Sequence, residues 1–209
     1  MLLLNSKIEI EDLENKKIKE IIIATSNPHK LEEINAINQY KNIKFSIISG
    51  DFNPIENGKT FEENSIIKAR EAAKLTSQIS LADDSGLCVD LLNGAPGLYS
   101  ARYADTPENR IKKLINELSK FPEKERTAHF ISVISLVDAN GNLLHKTEGK
   151  IEGLIINSVK GKNGFGYDPV FFLPEYNKTM AELDSKTKNM ISHRAKALSE
   201  MLGWIDSSI

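Results

Sequence analysis

A short apolar run, residues 79–82, is followed at once by two adjacent acids, Asp83 and Asp84. The run has the length and composition of a buried strand, and Ser85 and Gly86 follow the acids. We therefore predict a strand that ends at Asp83 and Asp84. Two carboxylates in such a place lose solvation and repel each other unless a cation offsets their charge. Carboxylate oxygens suit Mg2+; the alternative for the pair taken alone is a solvated acidic turn.

Composition excludes several classes of protein. The 209 residues suffice for one domain or two closely packed lobes. With 27 basic and 29 acidic residues the formal net charge is −2, so we expect neither nucleic acid nor a membrane as a partner. The single cysteine, Cys88, excludes an internal disulfide and fits a reducing compartment. No secretion signal or spanning segment is evident, so we expect a cytoplasmic protein.

Strand and helix patterns alternate early in the chain and a hairpin follows. The β-branched run 21–24 predicts a buried strand, and Asn27 and Pro28 are suited to the cap and first turn of a helix. Further strands are predicted at 43–48, 127–137, 142–156 and 170–173, and further helices after Thr60, after Thr106 and near Ser192. This order predicts an α/β fold with a mixed central β-sheet flanked by helices. We expect residues 1–20 to be a peripheral extension and 21–209 a single two-lobed domain.

The loop after the first predicted strand has the features of an anion site. Free backbone N–H groups and the positive end of a helix dipole attract phosphate, and a lysine adds a full charge. The loop lacks the glycine and lysine spacing of a P-loop, and a plain helix cap with a surface lysine is the alternative. Its residues are Thr25, Ser26, Asn27, Pro28, His29 and Lys30.

A glycine-rich loop at 161–169 has the residues to bind a nucleobase. Its glycines, Gly166 among them, allow close backbone approach, and Phe165 and Tyr167 offer flat faces. The carboxylate of Asp168 can accept hydrogen bonds from a ring N–H. The alternative is a hairpin whose aromatic side chains pack inward.

Four basic residues lie on predicted helices or near their ends. Lys188, His193 and Arg194 surround the start of the last predicted helix, and Lys68 belongs to the helix after Thr60. Together they could hold phosphate or donate to a carbonyl oxygen of a base. Taken singly, each is more typical of a solvated helix face.

Six motifs occur in the order in which one family carries them, and together they cover roughly residues 21–203. On these motifs the chain resembles the inosine triphosphate pyrophosphatases, which act on non-standard purine nucleotides. The resemblance implies two lobes with a nucleotide-binding cleft between them, and hydrolysis of ITP, dITP and XTP to the monophosphate and pyrophosphate. It also implies Mg2+ and a homodimer. The motifs are Thr25–Lys30, Thr60–Ala69, Ala82–Leu87, Gly94–Tyr103, Gly164–Pro169 and Ser192–Arg194.

The same resemblance implies a role for each candidate residue. Asp84 would be the general base and a metal ligand, and Glu56 and Asp83 would be further metal-binding acids. The segment Thr25–Lys30 would hold the phosphates with Lys68 and Ser85. The base would be bound by Phe165, Gly166, Tyr167, Asp168, Lys188, His193 and Arg194.

Three other functions are compatible with part of the pattern. A related Maf-like pyrophosphatase would prefer pyrimidine nucleotides, whereas the loop at 164–168 favours purines. A nucleotide-binding sensor would have no need of water-activating acids. A nucleic-acid-binding module fits poorly with the acidic balance and the absence of a basic, aromatic stripe.

Overall fold

A seven-stranded sheet forms the centre of the computed structural model, which describes residues 18–48 and 52–209. The strand order is β2-β1-β3-β4-β5-β6-β7, with β1 parallel to β2 and β3 and the later pairs antiparallel. This confirms the predicted α/β fold with a mixed sheet. The strands are β1 (Lys19–Ile23), β2 (Ile43–Ile47), β3 (Ser80–Val89), β4 (Thr127–Val137), β5 (Leu143–Ile155), β6 (Phe171–Leu173) and β7 (Lys178–Thr179).

Most of the predicted N-terminal extension, residues 1–17, lies outside the described residues. Lys19 and Glu20, which we had assigned to that extension, belong to β1 and pair with Ile43 and Lys44 of β2. The first strand therefore begins two residues before the apolar run that indicated it.

Side-chain caps fix where the helices begin. Asn27, Thr60 and Thr106 each accept a backbone N–H of the following first turn, as their sequence positions indicate, and Asp184 and Ser192 do the same. Within the described ranges no helix is long and apolar enough to cross a membrane. The helices are α1 (Pro28–Ile37), α2 (Phe61–Thr76), α3 (Pro107–Leu118), α4 (Ser185–Ile191) and α5 (His193–Ser208).

The prediction that a strand ends at the two acids is wrong. β3 continues for five residues beyond Asp84 to Val89, and every residue from Ser80 to Val89 has a partner on β4. Asp83 lies opposite Ile134, and Asp84 lies opposite Val133. The strand can continue because its backbone groups are satisfied by the ladder whatever the side chains are. The acids consequently lie in mid-strand.

Buried apolar residues separate into groups on either side of the two acids. Leu81 packs in a core with α1 and α5, and Ala82 packs in a core with α2. Leu87 and Val89 belong to a different core, which includes Phe171 of β6. The same strand therefore contributes to the cores of both lobes. The two acids lie between the residues that pack in one lobe and those that pack in the other.

A glycine on β5 brings the start of α5 close to the sheet. A Cβ atom built at Gly149 would lie 2.1 Å from the carbonyl oxygen of His193 and 2.7 Å from the amide nitrogen of Ala197. These neighbours are backbone atoms, which cannot rotate away. Glycine at this position therefore sets how closely His193 and Arg194 approach the sheet.

We predict that Gly149→Ala lowers the free energy of unfolding by about 1 to 3 kcal/mol, because the helix must move away from the sheet. Gly203→Ala, in the same helix, is the control: its nearest neighbour would be the Tyr40 hydroxyl at 3.8 Å. That variant is expected to be neutral or up to about 1 kcal/mol more stable. Urea unfolding of both variants measures the difference, and equal stabilities would contradict the packing argument.

Candidate active site

The alternation of side chains along β3 places the adjacent acids on opposite faces of the sheet. Asp83 shares a face with Leu81, which packs against α1 and α5, and Asp84 shares a face with Ala82, which packs against α2. Each acid therefore meets different partners. This separation reduces the repulsion between the two neighbouring carboxylates, because each has its own cationic partners.

The carboxylate of Asp83 is surrounded by donors from four elements, namely α1, α5, β4 and its own strand β3. Its Oδ2 accepts from Nζ of Lys30 at 2.8 Å, from Nε and Nη2 of Arg194 at 3.2 and 3.1 Å, and from Ser85 at 3.2 Å. Its Oδ1 accepts from the Ser132 hydroxyl at 2.5 Å. Burial alone would raise the pKa of Asp83, but Arg194 and Lys30 outweigh it and hold the pKa well below its usual range.

Asp84 is the more accessible acid and has fewer partners. Its Oδ1 accepts from Nζ of Lys68 at 2.6 Å, and the same ammonium lies 3.2 Å from Oε1 of Glu56. The other oxygen of Glu56 lies 3.5 Å from Arg102, a half-exposed side chain. Burial raises the pKa of Asp84, and Lys68 opposes that shift without cancelling it. Asp84 and Glu56 thus converge on one cationic atom.

At the other end of the cleft, Asp168 is held by the loop that carries it. Its Oδ2 accepts from the backbone N–H of Phe165 at 2.9 Å and from Nζ of Lys188 at 2.7 Å. Lys188 also lies 2.7 Å from Oε1 of Glu33, and Arg194 pairs with the second oxygen of Glu33. Burial raises the pKa of Asp168, against the effect of Lys188. Glu33 therefore joins the two ends of the cleft through Lys188 and Arg194.

His193 lines this cleft and has one buried ring nitrogen without a hydrogen-bond partner among the described residues. Its ring stacks on Phe130 with centroids 5.0 Å apart, and the buried nitrogen is Nδ1. Burial and the adjacent Arg194 hold the pKa of His193 well below its usual value. The imidazole is therefore neutral at pH 7 and has one N–H to donate.

Nearly all the predicted site residues line one cavity of about 310 Å³. That volume lies at the small end of the usual range for ligand pockets. Pro28 and His29 do not line it: His29 is exposed and stacks on Phe165 with centroids 5.4 Å apart. The predicted residues that line the cavity are Thr25, Ser26, Asn27, Lys30, Glu56, Lys68, Asp83, Asp84, Ser85, Phe165, Gly166, Tyr167, Asp168, Lys188, His193 and Arg194.

Tyr167 combines both interpretations of its loop. Its ring is buried in the core that contains Phe171, and its hydroxyl donates to the carbonyl oxygen of Ser100 at 3.0 Å. The Tyr167 ring therefore packs inward, as expected for a hairpin with inward-packed aromatic side chains, while part of the residue lines the cavity. Phe165 is the more exposed aromatic side chain, with Lys188 Nζ 5.0 Å from its ring centroid.

Sequence reasoning missed five residues of the site. Arg102 lies within a motif that supported the family resemblance, yet nothing in the sequence assigned it a role. Glu33 lies on an ordinary helical pattern, and its partners are more than 150 positions away. No local signal identifies such residues. The missed residues are Glu33, Arg102, Arg110, Phe130 and Ser132.

Comparison with known proteins gives matches over most of the chain. The sequence model of the Ham1 family matches residues 21–204. A protein of Desulforamulus reducens named dITP/XTP pyrophosphatase is 44% identical over 188 residues, which cover 87% of this chain and 93% of the relative. A dITP/XTP pyrophosphatase of Clostridium perfringens is 48% identical over 198 residues, covering 88% and 96% of the two chains.

Solved structures agree with these matches. The structure of a HAM1 protein from Coxiella burnetii superposes with a TM-score of 0.83 at 41% identity, covering 91% of this chain and 100% of that chain. The Staphylococcus aureus Ham1 protein gives a TM-score of 0.81 at 40% identity with the same coverage.

We predict that Asp83→Asn lowers the free energy of unfolding by roughly 3 to 5 kcal/mol at pH 7, because Lys30 stays buried without its counter-charge and Arg194 keeps only that of Glu33. The depressed pKa of Asp83 means that its contribution is present above the unfolded-state pKa of about 3.9 and is lost as the pH falls through the folded-state pKa. The difference from wild type should therefore narrow below about pH 3.9.

Urea unfolding over this pH range tests the prediction, with Asp90→Asn as the control. Asp90 is an exposed acid just after β3 that accepts from Thr127, and its substitution should change stability by about 0.5 kcal/mol or less. Equal effects of the two substitutions would show that Asp83 does not anchor the cluster.

Proposed function

The chain belongs to the Ham1 family, and on that basis we propose that it hydrolyses dITP, ITP and XTP to the monophosphate and pyrophosphate. The observation that carries this proposal is the convergence of the predicted phosphate, acid and base groups on one cavity. The match extends over nearly the whole length of the relatives named dITP/XTP pyrophosphatase. Removal of such nucleotides cleanses the nucleotide pool.

The phosphate end of the cleft is built around the start of α1. The Asn27 side chain accepts from the backbone N–H of His29, so the first turn is held in place, and Lys30 and Lys68 both reach the Asp83 carbonyl oxygen, at 3.2 and 3.0 Å. Two ammonium groups and a helix N-terminus therefore face the region that the phosphates enter. They neutralise charge on the triphosphate and on the departing pyrophosphate.

The acids present fit Mg2+ when substrate completes the coordination. Within 18–48 and 52–209 no three acids, histidines or cysteines cluster as a metal site. Magnesium is, however, commonly held by one or two carboxylates together with substrate phosphates and water. Asp84 and Glu56 already share one cation, the ammonium of Lys68, and would hold the metal. Bound Mg2+ would supply charge neutralisation at the phosphates.

Asp84 is the group placed to activate water. Its pKa is raised by burial, which makes the ionised carboxylate a better proton acceptor than a solvated aspartate. Asp84 takes a proton from the attacking water, and the water oxygen bonds to the α-phosphorus. The bond between the α-phosphorus and the oxygen that bridges to the β-phosphorus then breaks. Pyrophosphate leaves with the electron pair of that bond.

The base end can distinguish a carbonyl from an amine at C6 of a purine. The contacts to Asp168 reach Oδ2, so Oδ1 is the atom placed to accept from the ring N1–H of hypoxanthine or xanthine. Neutral His193, which lines the same cavity, can donate its one ring N–H to the C6 carbonyl. Adenine offers an acceptor at N1 and a donor at C6, which leaves both protein groups unpaired.

The partners and location follow from the resemblance and the composition. The family resemblance supports a homodimer, and the lone Cys88 is compatible with the reducing cytoplasm. Light scattering of the purified protein tests the assembly: a mass equal to that of one chain would contradict a dimer.

We predict pyrophosphate release from ITP, dITP and XTP when Mg2+ is present and little release in EDTA. ATP should be turned over less efficiently by about 10²-fold or more, because its base leaves buried polar groups unpaired. A coupled pyrophosphate assay across the nucleoside triphosphates, with the products separated by chromatography, measures this. Orthophosphate release from ITP would contradict the proposal, and a preference for dTTP or dUTP would favour a Maf-like enzyme.

We predict that Asp84→Asn lowers kcat by about 10²-fold or more while ITP still binds, because the amide cannot accept the proton of water. Glu56→Gln should raise the Mg2+ concentration needed for half-maximal rate. Glu62→Gln, whose carboxylate pairs with Lys146 at 2.6 Å away from the cleft, is the control and should leave both quantities unchanged. Near-normal kcat in Asp84→Asn would remove Asp84 from its assigned role.

A further inference from the structure

The charges already inside the cleft largely cancel one another. Lys30, Lys68, Lys188, Arg194 and Arg102 are each within 4 Å of a carboxylate oxygen. The carboxylates that they face are those of Glu33, Glu56, Asp83, Asp84 and Asp168. The five cations and the five carboxylates are therefore equal in number. A nucleoside triphosphate carries several negative charges, and these pairs alone offer it little net attraction.

Among the described residues, Arg110 is the cation lining this cavity that has no such partner. It lines the same cavity as Asp84 and Asp168, and its Nε donates to the carbonyl oxygen of Thr106 at 3.3 Å. No carboxylate in the described part of the chain pairs with its guanidinium. Arg110 is half-buried at the end of the first turn of α3, so its charge is partly shielded from bulk water.

Arg110 reaches the cavity from α3, whereas Lys30 and Lys68 reach it from α1 and α2. The Tyr167 hydroxyl donates to the carbonyl oxygen of Ser100, and burial raises the pKa of Tyr167 while the nearby Arg110 gives the largest opposing effect. Arg102, which reaches Glu56, follows Ser100 by two residues. Arg110 therefore lies beside the segment that borders the catalytic acids.

We propose that Arg110 is a further substrate-binding residue, whose guanidinium attracts and contacts the phosphate chain of the nucleotide from the α3 side of the cleft. A guanidinium has paired N–H donors that match phosphate oxygens. No carboxylate of the described residues accepts from these donors in Arg110. The proposal rests on the proposed function, because it requires a nucleotide in this cleft.

Equilibrium titration calorimetry in EDTA, where we expect little turnover, tests the proposal with ITP and with inosine. Arg110→Met should weaken ITP binding by about tenfold, the effect of one partly exposed charge-assisted contact. Inosine binding should stay within about twofold, because inosine has no phosphate. The dependence of ITP affinity on NaCl concentration should become shallower in the variant.

Two matched variants separate a contact from a general charge effect. Lys112→Met removes the same charge from an exposed position on the same helix, and should leave ITP affinity within about twofold. Arg110→Lys keeps the charge without the paired donors, and should recover most of the salt dependence but only part of the affinity.

The proposal is overturned if Arg110→Met matches Lys112→Met, or if it weakens inosine as much as ITP. A pyrophosphate assay on the wild-type enzyme distinguishes these failures from failure of the proposed function. If the wild-type protein releases pyrophosphate from ITP and Arg110→Met binds ITP normally, only the role of Arg110 is contradicted. Wild-type protein that neither hydrolyses ITP nor prefers it to inosine overturns both.

Discussion

The pairing of the buried Asp83 carboxylate with Lys30 and Arg194 is the interaction on which the cleft depends. A charge removed from water is tolerated only when its partners and remaining hydrogen bonds are in place, and Asp83 receives them from both α1 and α5 as well as from Ser132 on β4. These contacts fix the two helices against the middle of β3. They also hold the side chains of Lys30 and Arg194 in the cavity, whereas a solvated lysine or arginine side chain would have no fixed position there.

Ion pairs also connect the two ends of the pocket, because several of the charged residues each pair with two partners. Arg194 contacts both Asp83 and Glu33, and Lys188 contacts both Glu33 and Asp168, so the loop that carries Asp168 and strand β3 are the ends of one chain of ion pairs. On the opposite face Lys68 joins Asp84 to Glu56. Groups held in this way need little reorganisation when substrate arrives, which is the condition for effective electrostatic stabilisation.

Local patterns predicted the parts of this structure that local physics determines. Caps such as Asn27 and Thr60 marked helix starts because their hydrogen bonds are made within a few residues. The course of β3 through Asp83 was not predictable from its own residues, since its partner strand lies some 50 positions later. Glu33 and Arg110 were missed for the same reason: each gains its meaning from residues that only the tertiary fold brings near. The family resemblance supplied roles that composition and spacing could not.

The passage of β3 and β4 through both lobes has a mechanical consequence. The two strands are hydrogen-bonded from Ser80 to Val89, so no flexible joint separates the lobes along this ribbon. Any narrowing of the cleft would then require a change in twist of the paired strands or movement of the segments at its rim, such as the loop that carries Glu56. Continuous pairing of this kind holds the floor of the pocket in one shape.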